Sequence, residues 1–199
     1  MTNPVNQELK QRRSIYALGK NVAQTPAQIS ETIKEAIRQS PTAFNSQTVR
    51  AVITFGENSD RVWDIVEAEL KKVTPADRFS ATQEKIASFR AGFGTILYFT
   101  ETQTVQKLEA DFPLYAANFA NWAEQGLGGA QQAVWTALAV ENIGASLQHY
   151  NPLIDEKIKE AFDIPESWEL RAQMPFGSIE APAGEKEFLP DDVRFKIFE

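Results

Sequence analysis

Four short stretches of this chain carry residue types able to do chemistry. Arg12-Arg13-Ser14 sets two guanidiniums beside a hydroxyl. Such a set can hold a phosphate through charge-assisted hydrogen bonds, the arginines bidentately and the serine as a neutral donor. Taken alone, the same triplet is an ordinary solvated basic turn. The segment Ser40-Pro41-Thr42-Ala43-Phe44-Asn45-Ser46-Gln47 is the second. Pro41 disfavours helix at Ser40, which leaves the polar groups that follow free to face a ligand. Asn45 and Gln47 each present donors and an acceptor, a set suited to the mixed edge of a heterocycle. Leu147-Gln148-His149-Tyr150-Asn151-Pro152 holds the only histidine of the chain. The fourth, Gly184-Glu185-Lys186-Glu187-Phe188-Leu189-Pro190, offers the cation Lys186, with Arg194 beyond it. Each cation, by itself, reads equally well as a surface charge.

A fifth feature is apolar. Phe112, Tyr115, Phe119 and Trp122 recur at spacings of three and four, one face of a helix. Such a stripe packs as core or as a dimer contact, or stacks in part over a planar substrate.

The elements that must position these residues are helices with strands between them. Thr25-Pro26-Ala27-Gln28 has the form of a capping box with Pro in the first turn. Behind it Ile29, Ile33, Ala36 and Ile37 share one stripe, ending near Ser40-Pro41. Ser59 is expected to cap a second helix, carrying Val62, Ile65, Val66 and Leu70. A third, from about Gly129 to Asn142, is apolar nearly all round and is therefore expected between layers, with Gly144 ending it. Val49–Phe55 and Thr95–Thr100 read as strands, Ala145–Gln148 and Glu169–Phe176 as weaker ones, and Val193–Phe198 as a last strand in an irregular arm. Helices and strands intermixed in this way predict an α+β or α/β-like fold in a single domain over 1–199.

Composition narrows the chemistry. The chain has 199 residues, enough for one sizeable core, with 43% hydrophobic and 24% charged residues. With Lys+Arg 20 and Asp+Glu 27 its formal net charge is −7, which argues against nucleic-acid or anionic-membrane binding. Any phosphate site must therefore be a small local cluster. Cysteine is absent, which removes disulfides, thiolate nucleophiles, iron–sulfur clusters and Cys-ligated zinc, and one histidine rules out a two-His metal site within one chain. No apolar run approaches the length of a membrane span, and the polar N-terminus lacks a signal peptide's apolar stretch. The expectation is a soluble cytoplasmic protein, without a metal, whose chemistry comes from a bound cofactor.

Taken together and in order, RRS, SPTAFNSQ, GAQQAVWTALAVENIGASLQHYNP and GEKEFLPDDVRFKIF resemble the FMN-dependent nitroreductase superfamily. They look most like its compact branch, which contains the yeast fatty-acid-repression proteins and the bacterial copper-induced nitroreductases. The resemblance runs from residue 10 to 198. It implies a central, mostly antiparallel sheet flanked by helices, and an interlocked homodimer with FMN at the subunit interface. Arg12, Arg13 and Ser14 match the family's phosphate and ribityl contacts, and Lys186 a second phosphate contact. Asn45 and Gln47 match residues facing the flavin ring, while Pro41, Thr42 and Phe44 match those given by the second subunit. Gln148 and His149 fall where the family places backbone near flavin N5. Many relatives carry a second basic residue where this chain has Phe188, and Arg194 is the expected substitute. Lys85, preferred over Arg90, is the expected cation near the flavin N1/O2 edge.

The activity implied is ping-pong transfer of hydride from NADH or NADPH through FMN to nitroaromatics or quinones. Tyr115, Phe119 and Trp122 are the residues expected to stack on a small planar aromatic substrate. No side chain is expected to act as the catalytic acid, base or nucleophile, because the cofactor carries the hydride. The absence of a GxGxxG fits a nicotinamide that only stacks and leaves. Two other readings stand beside this one: a flavin-binding redox sensor with incidental turnover, and a flavin-free helical interaction protein.

Overall fold

The computed structural model describes residues 3–199, so the first two positions of the 1–199 domain lie outside it. The chain runs α1 (Pro4–Gln11), β1 (Leu18–Gly19), α2 (Pro26–Arg38), β2 (Val49–Phe55), α3 (Glu57–Val73), α4 (Phe79–Arg90) and β3 (Gly94–Glu101). It continues α5 (Thr102–Asp111), α6 (Ala116–Val140), β4 (Gly144–Ala145), α7 (Asp155–Phe162), β5 (Trp168–Ile179) and α8 (Asp191–Arg194). The strands form one sheet in the order β1-β5-β3-β2, with β4 also on β5. Every ladder between the strands is antiparallel. The expected α+β architecture, an antiparallel sheet between helices, is the one observed.

β3 explains the layering. It is buried along its whole length, and strand alternation sends successive side chains to opposite faces. Ile96 and Tyr98 join Ile29 and Ile33 of α2 and Val134 and Leu138 of α6 on one face. Leu97 and Phe99 join Val62, Trp63 and Val66 of α3, Ile86 and Phe89 of α4, and Ile158 of α7 on the other. The capping box at Thr25 forms as its sequence predicts, with the hydroxyl accepting from the Gln28 amide and the Gln28 side chain accepting from the Thr25 amide.

Four expectations are corrected. Ser59 does not cap α3, whose N-cap is Gly56. It is buried in the first turn, hydrogen-bonded to the Thr95 hydroxyl at 2.8 Å. The helix expected from Gly129 begins at Ala116 and takes in Phe119, Trp122 and three glycines, while Phe112 caps α5 and Tyr115 lies in the 3-10 turn between the two helices. Gly126 is tolerated there because the chain passes close by: a Cβ would lie 3.1 Å from Thr42 Cγ2. Gly144 does not end that helix either. The left-handed residue after the cap is Asn142 (φ 59°), and Gly144 lies in β4, where a Cβ would come within 2.9 Å of Ile15 and Ile179. The strand expected over Val193–Phe198 is instead the end of one helical turn followed by exposed extended chain. It has no pairing partner among the described residues.

Candidate active site

α1 stops at Arg12, whose backbone N–H closes the last turn on Glu8 O at 3.0 Å. The next residues are extended and fastened to the sheet. Ser14 bridges Ala145, and the Ile15 N–H donates to Ala145 O at 2.9 Å. The basic triplet thereby forms one wall of a cavity of about 500 Å³, with Tyr16 beside it and residues 181–184 and Lys186 opposite. Arg13 Nη2 donates to Gly184 O at 2.7 Å and clips the C-terminal arm over the cavity. None of Arg12, Arg13 and Lys186 is in an ion pair among the described residues. In a chain with seven excess negative charges, three cations without ion-pair partners around one cavity are a local concentration of positive charge. Burial, reinforced by neighbouring Arg13, pulls the Arg12 guanidinium below the usual arginine range. A bound phosphate would oppose both effects.

The 41–47 segment is a short 3-10 turn over Ala43–Asn45 with three left-handed residues, Phe44 (φ 58°), Asn45 (φ 49°) and Gln47 (φ 48°). Asn tolerates this region, whereas Phe is strained there, and such strain gathers at functional sites. Thr42 holds the turn: its Oγ1 accepts from the Gln47 N–H at 3.0 Å and its carbonyl from the Asn45 N–H at 2.9 Å. The side-chain amides of Asn45 and Gln47 stay exposed and make no hydrogen bond among the described residues. Phe44 is 52% exposed. Its ring lies 5.0 Å from Phe112, 5.3 Å from Phe119 and 6.1 Å from both Tyr115 and Trp122.

The aromatic stripe is therefore one cluster gathered under Phe44. Here one expected substrate contact is corrected: Phe119 is buried against Val105 and Ala123, so it supports the cluster from below. Tyr115 and Trp122 retain exposed ring surface.

Gln148 is pinned from both sides. Its N–H donates to Gln173 O at 2.7 Å, and the Gln173 N–H donates back at 2.9 Å. The fully buried Gln173 side chain also accepts from the Tyr150 N–H at 2.8 Å. His149, between these anchors, points an exposed imidazole outward with no hydrogen bond among the described residues. Burial raises the Tyr150 phenol to about 12.

Two expected cations stand elsewhere. Lys85 is exposed on α4, its ammonium 5.9 Å over the Phe89 ring, on the α3 side of the sheet. Arg194 is exposed on α8, 5.2 Å over Phe195, and does not line the cavity. The sequence reading missed Lys10, which joins Arg13, Lys186 and Phe188 around an adjoining cavity of about 420 Å³. It also missed Trp135, which lies beneath Arg12 with 4.5 Å between guanidinium carbon and ring centroid. Lys10 was legible as a basic residue one turn before Arg13; nothing in the sequence pairs Trp135 with Arg12.

This chain belongs to the nitroreductase family, matching it over residues 9–178. The family is flavin-dependent. The chain is 42% identical to HBN1 of Saccharomyces cerevisiae over 93% of both proteins. It is 33% identical to the nitroreductase FRM2 of the same yeast over 89% of both. Among solved structures, the nitroreductase CinD of Lactococcus lactis in complex with nicotinic acid superposes with a TM-score of 0.92 at 52% identity, over 98% of this chain and all of CinD. CinD has also been solved with chloramphenicol and with 4-nitrophenol. The class is thus a nitroreductase-type oxidoreductase.

Proposed function

We propose that this protein is a cytoplasmic, FMN-dependent NAD(P)H oxidoreductase that reduces nitroaromatics or quinones in alternating half-reactions as an interlocked homodimer. The observation that carries the proposal is the cavity at Arg12, Arg13 and Lys186, where three cations lack counter-ions and a phosphate monoester supplies one. Arg12, Arg13, Ser14 and Lys186 would hold the phosphate. The free amides of Asn45 and Gln47, and the backbone that Gln173 holds at Gln148–Tyr150, would meet the ring edges. FMN, when bound, supplies acceptance and donation of hydride, which no side chain here can provide. The chain's own work is to bind, orient and shield. Phe44, Phe112, Tyr115 and Trp122 present aromatic surface for a flat substrate. The CinD complexes support this reading: one ligand carries a pyridine ring, as nicotinamide does, and another is a nitrophenol.

The homodimer is supported by what one chain leaves uncovered. Phe188, Leu189, Val193, Phe195, Ile197 and Phe198 are all exposed, the last at 91%. β2 is a terminal strand of the sheet, and sheet edges call for cover. No helix of the described residues is long and apolar enough to cross a membrane.

The test is spectroscopic. The purified protein should be yellow, should bleach anaerobically on adding NADH or NADPH, and should regain colour on adding a nitroarene or quinone. A colourless protein that takes up no FMN refutes the proposal. A flavin reduced by dithionite but not by either nucleotide would leave the sensor reading in its place.

A further inference from the structure

Trp135 lies on α6, the helix that also seats the Pro41–Thr42 loop at Gly126, nine residues and roughly 14 Å of rise earlier. Its ring supports the Arg12 guanidinium at 4.5 Å. Two donors at this contact, Arg12 Nε and Trp135 Nε1, are buried with no acceptor among the described residues. A buried indole N–H without a partner is a cost that phenylalanine would not carry. Packing alone therefore does not account for tryptophan here. What tryptophan offers above phenylalanine is the stronger cation-binding π face.

We propose that Trp135 is the positioning residue for the phosphate-directed guanidinium of Arg12, a π platform that holds the cation at the cavity wall without a carboxylate to neutralise it. A carboxylate in that place would fix Arg12 equally well, but it would repel a phosphate. An aromatic face holds the arginine and leaves its full charge for the ligand. The partial burial of Arg12 suits such a platform, since cation–π attraction strengthens as water is excluded. Arg13 is fixed in a comparable way, by the neutral carbonyl of Gly184. Both arginines are thus oriented by uncharged partners.

The inference rests on the reading of this cavity as the FMN phosphate site, and the test separates the two. The full-length protein, freed of flavin, is titrated with FMN and with riboflavin, which differ only in the phosphate. Trp135→Leu should weaken FMN binding about tenfold, equivalent to about 1.4 kcal/mol, while riboflavin affinity stays within about twofold. Trp135→Phe should lose about two- to fourfold for FMN without lowering thermal stability. Arg12→Ala should lose at least tenfold for FMN alone, and adding Trp135→Leu to it should cost no more. If Trp135→Leu weakens FMN and riboflavin alike, or neither, while Arg12→Ala stays FMN-selective, Trp135 is structural and the inference falls alone. If Arg12→Ala shows no preference for FMN, the phosphate reading falls and the inference with it. Should Trp135→Leu fail to fold, the Trp135→Phe cycle with Arg12→Ala carries the same decision: additive losses overturn the coupling.

Discussion

His149→Gln should barely slow flavin reduction, although an enzymologist scanning this chain would choose its only imidazole as the general acid. A hydride transfer moves no proton at that moment, so a positioned acid has nothing to do in the step. The structure sets the size of the effect. The imidazole is exposed and bonds to nothing among the described residues, and substitutions at such positions usually stay within about 0.5 kcal/mol. Folding should therefore stay intact, and the rate should fall by less than about tenfold, below the roughly 10²–10⁴ lost with a positioned acid or base. The backbone on either side is held by Gln173, through the two bonds with Gln148 and the one from Tyr150. Gln173→Met should therefore do more harm than His149→Gln, because it strips the Tyr150 N–H of its acceptor at a cost of about 1–3 kcal/mol. The assay is stopped-flow bleaching of the flavin band by saturating NADH, with FMN fully loaded and folding checked. A thousandfold fall in His149→Gln, with FMN content intact, would show that the imidazole does chemistry and that this account of the segment is wrong.

Arg12→Ala should weaken FMN binding roughly 10- to 100-fold, as expected for a charge-assisted bond of about 1.5–3 kcal/mol. Lys186→Ala, on an exposed arm, should lose only about two- to fivefold. Arg194→Ala should change FMN affinity less than about twofold; a loss equal to that of Arg12→Ala would place it in the site through the partner subunit. In sedimentation velocity the flavin-loaded protein should run as a dimer, which Phe195→Ser with Phe198→Ser should loosen; an active monomer at working concentration would contradict the interlocked assembly. Thr95→Val should lower the melting temperature by about 5–15 °C, since the buried Thr95 hydroxyl accepts from Trp63 Nε1 at 2.9 Å and pairs with Ser59 at 2.8 Å. Two orphaned groups cost on the order of 2–5 kcal/mol, and each kcal/mol moves a domain of this size by about 2–4 °C. A shift under about 2 °C would show that the two groups find other partners.

Local chemistry was legible in the sequence wherever neighbours along the chain decide the outcome. The Thr25 capping box, the stripe of α2 and the β-branched runs of β2 and β3 are such cases, and the structure forms each of them. Arg12, Arg13 and Lys186 were singled out by the family motifs that they sit in, since among 20 lysines and arginines composition alone favours none of them. Tertiary contacts decided the rest. Ser59 has the type of a cap but lies under β3, where a buried hydroxyl must find a partner and takes Thr95. Gly126 is carried inside α6, where the Thr42 loop packs so close that a Cβ would make a tight contact at 3.1 Å. Phe119 shares a helical face with Tyr115 and Trp122, yet the packing of α5 on α6 buries it and leaves the other two open. Trp135 reads along the chain as one more apolar residue of a buried helix. Only the fold, by laying the end of α1 across α6, brings its ring under a guanidinium more than a hundred residues away in sequence.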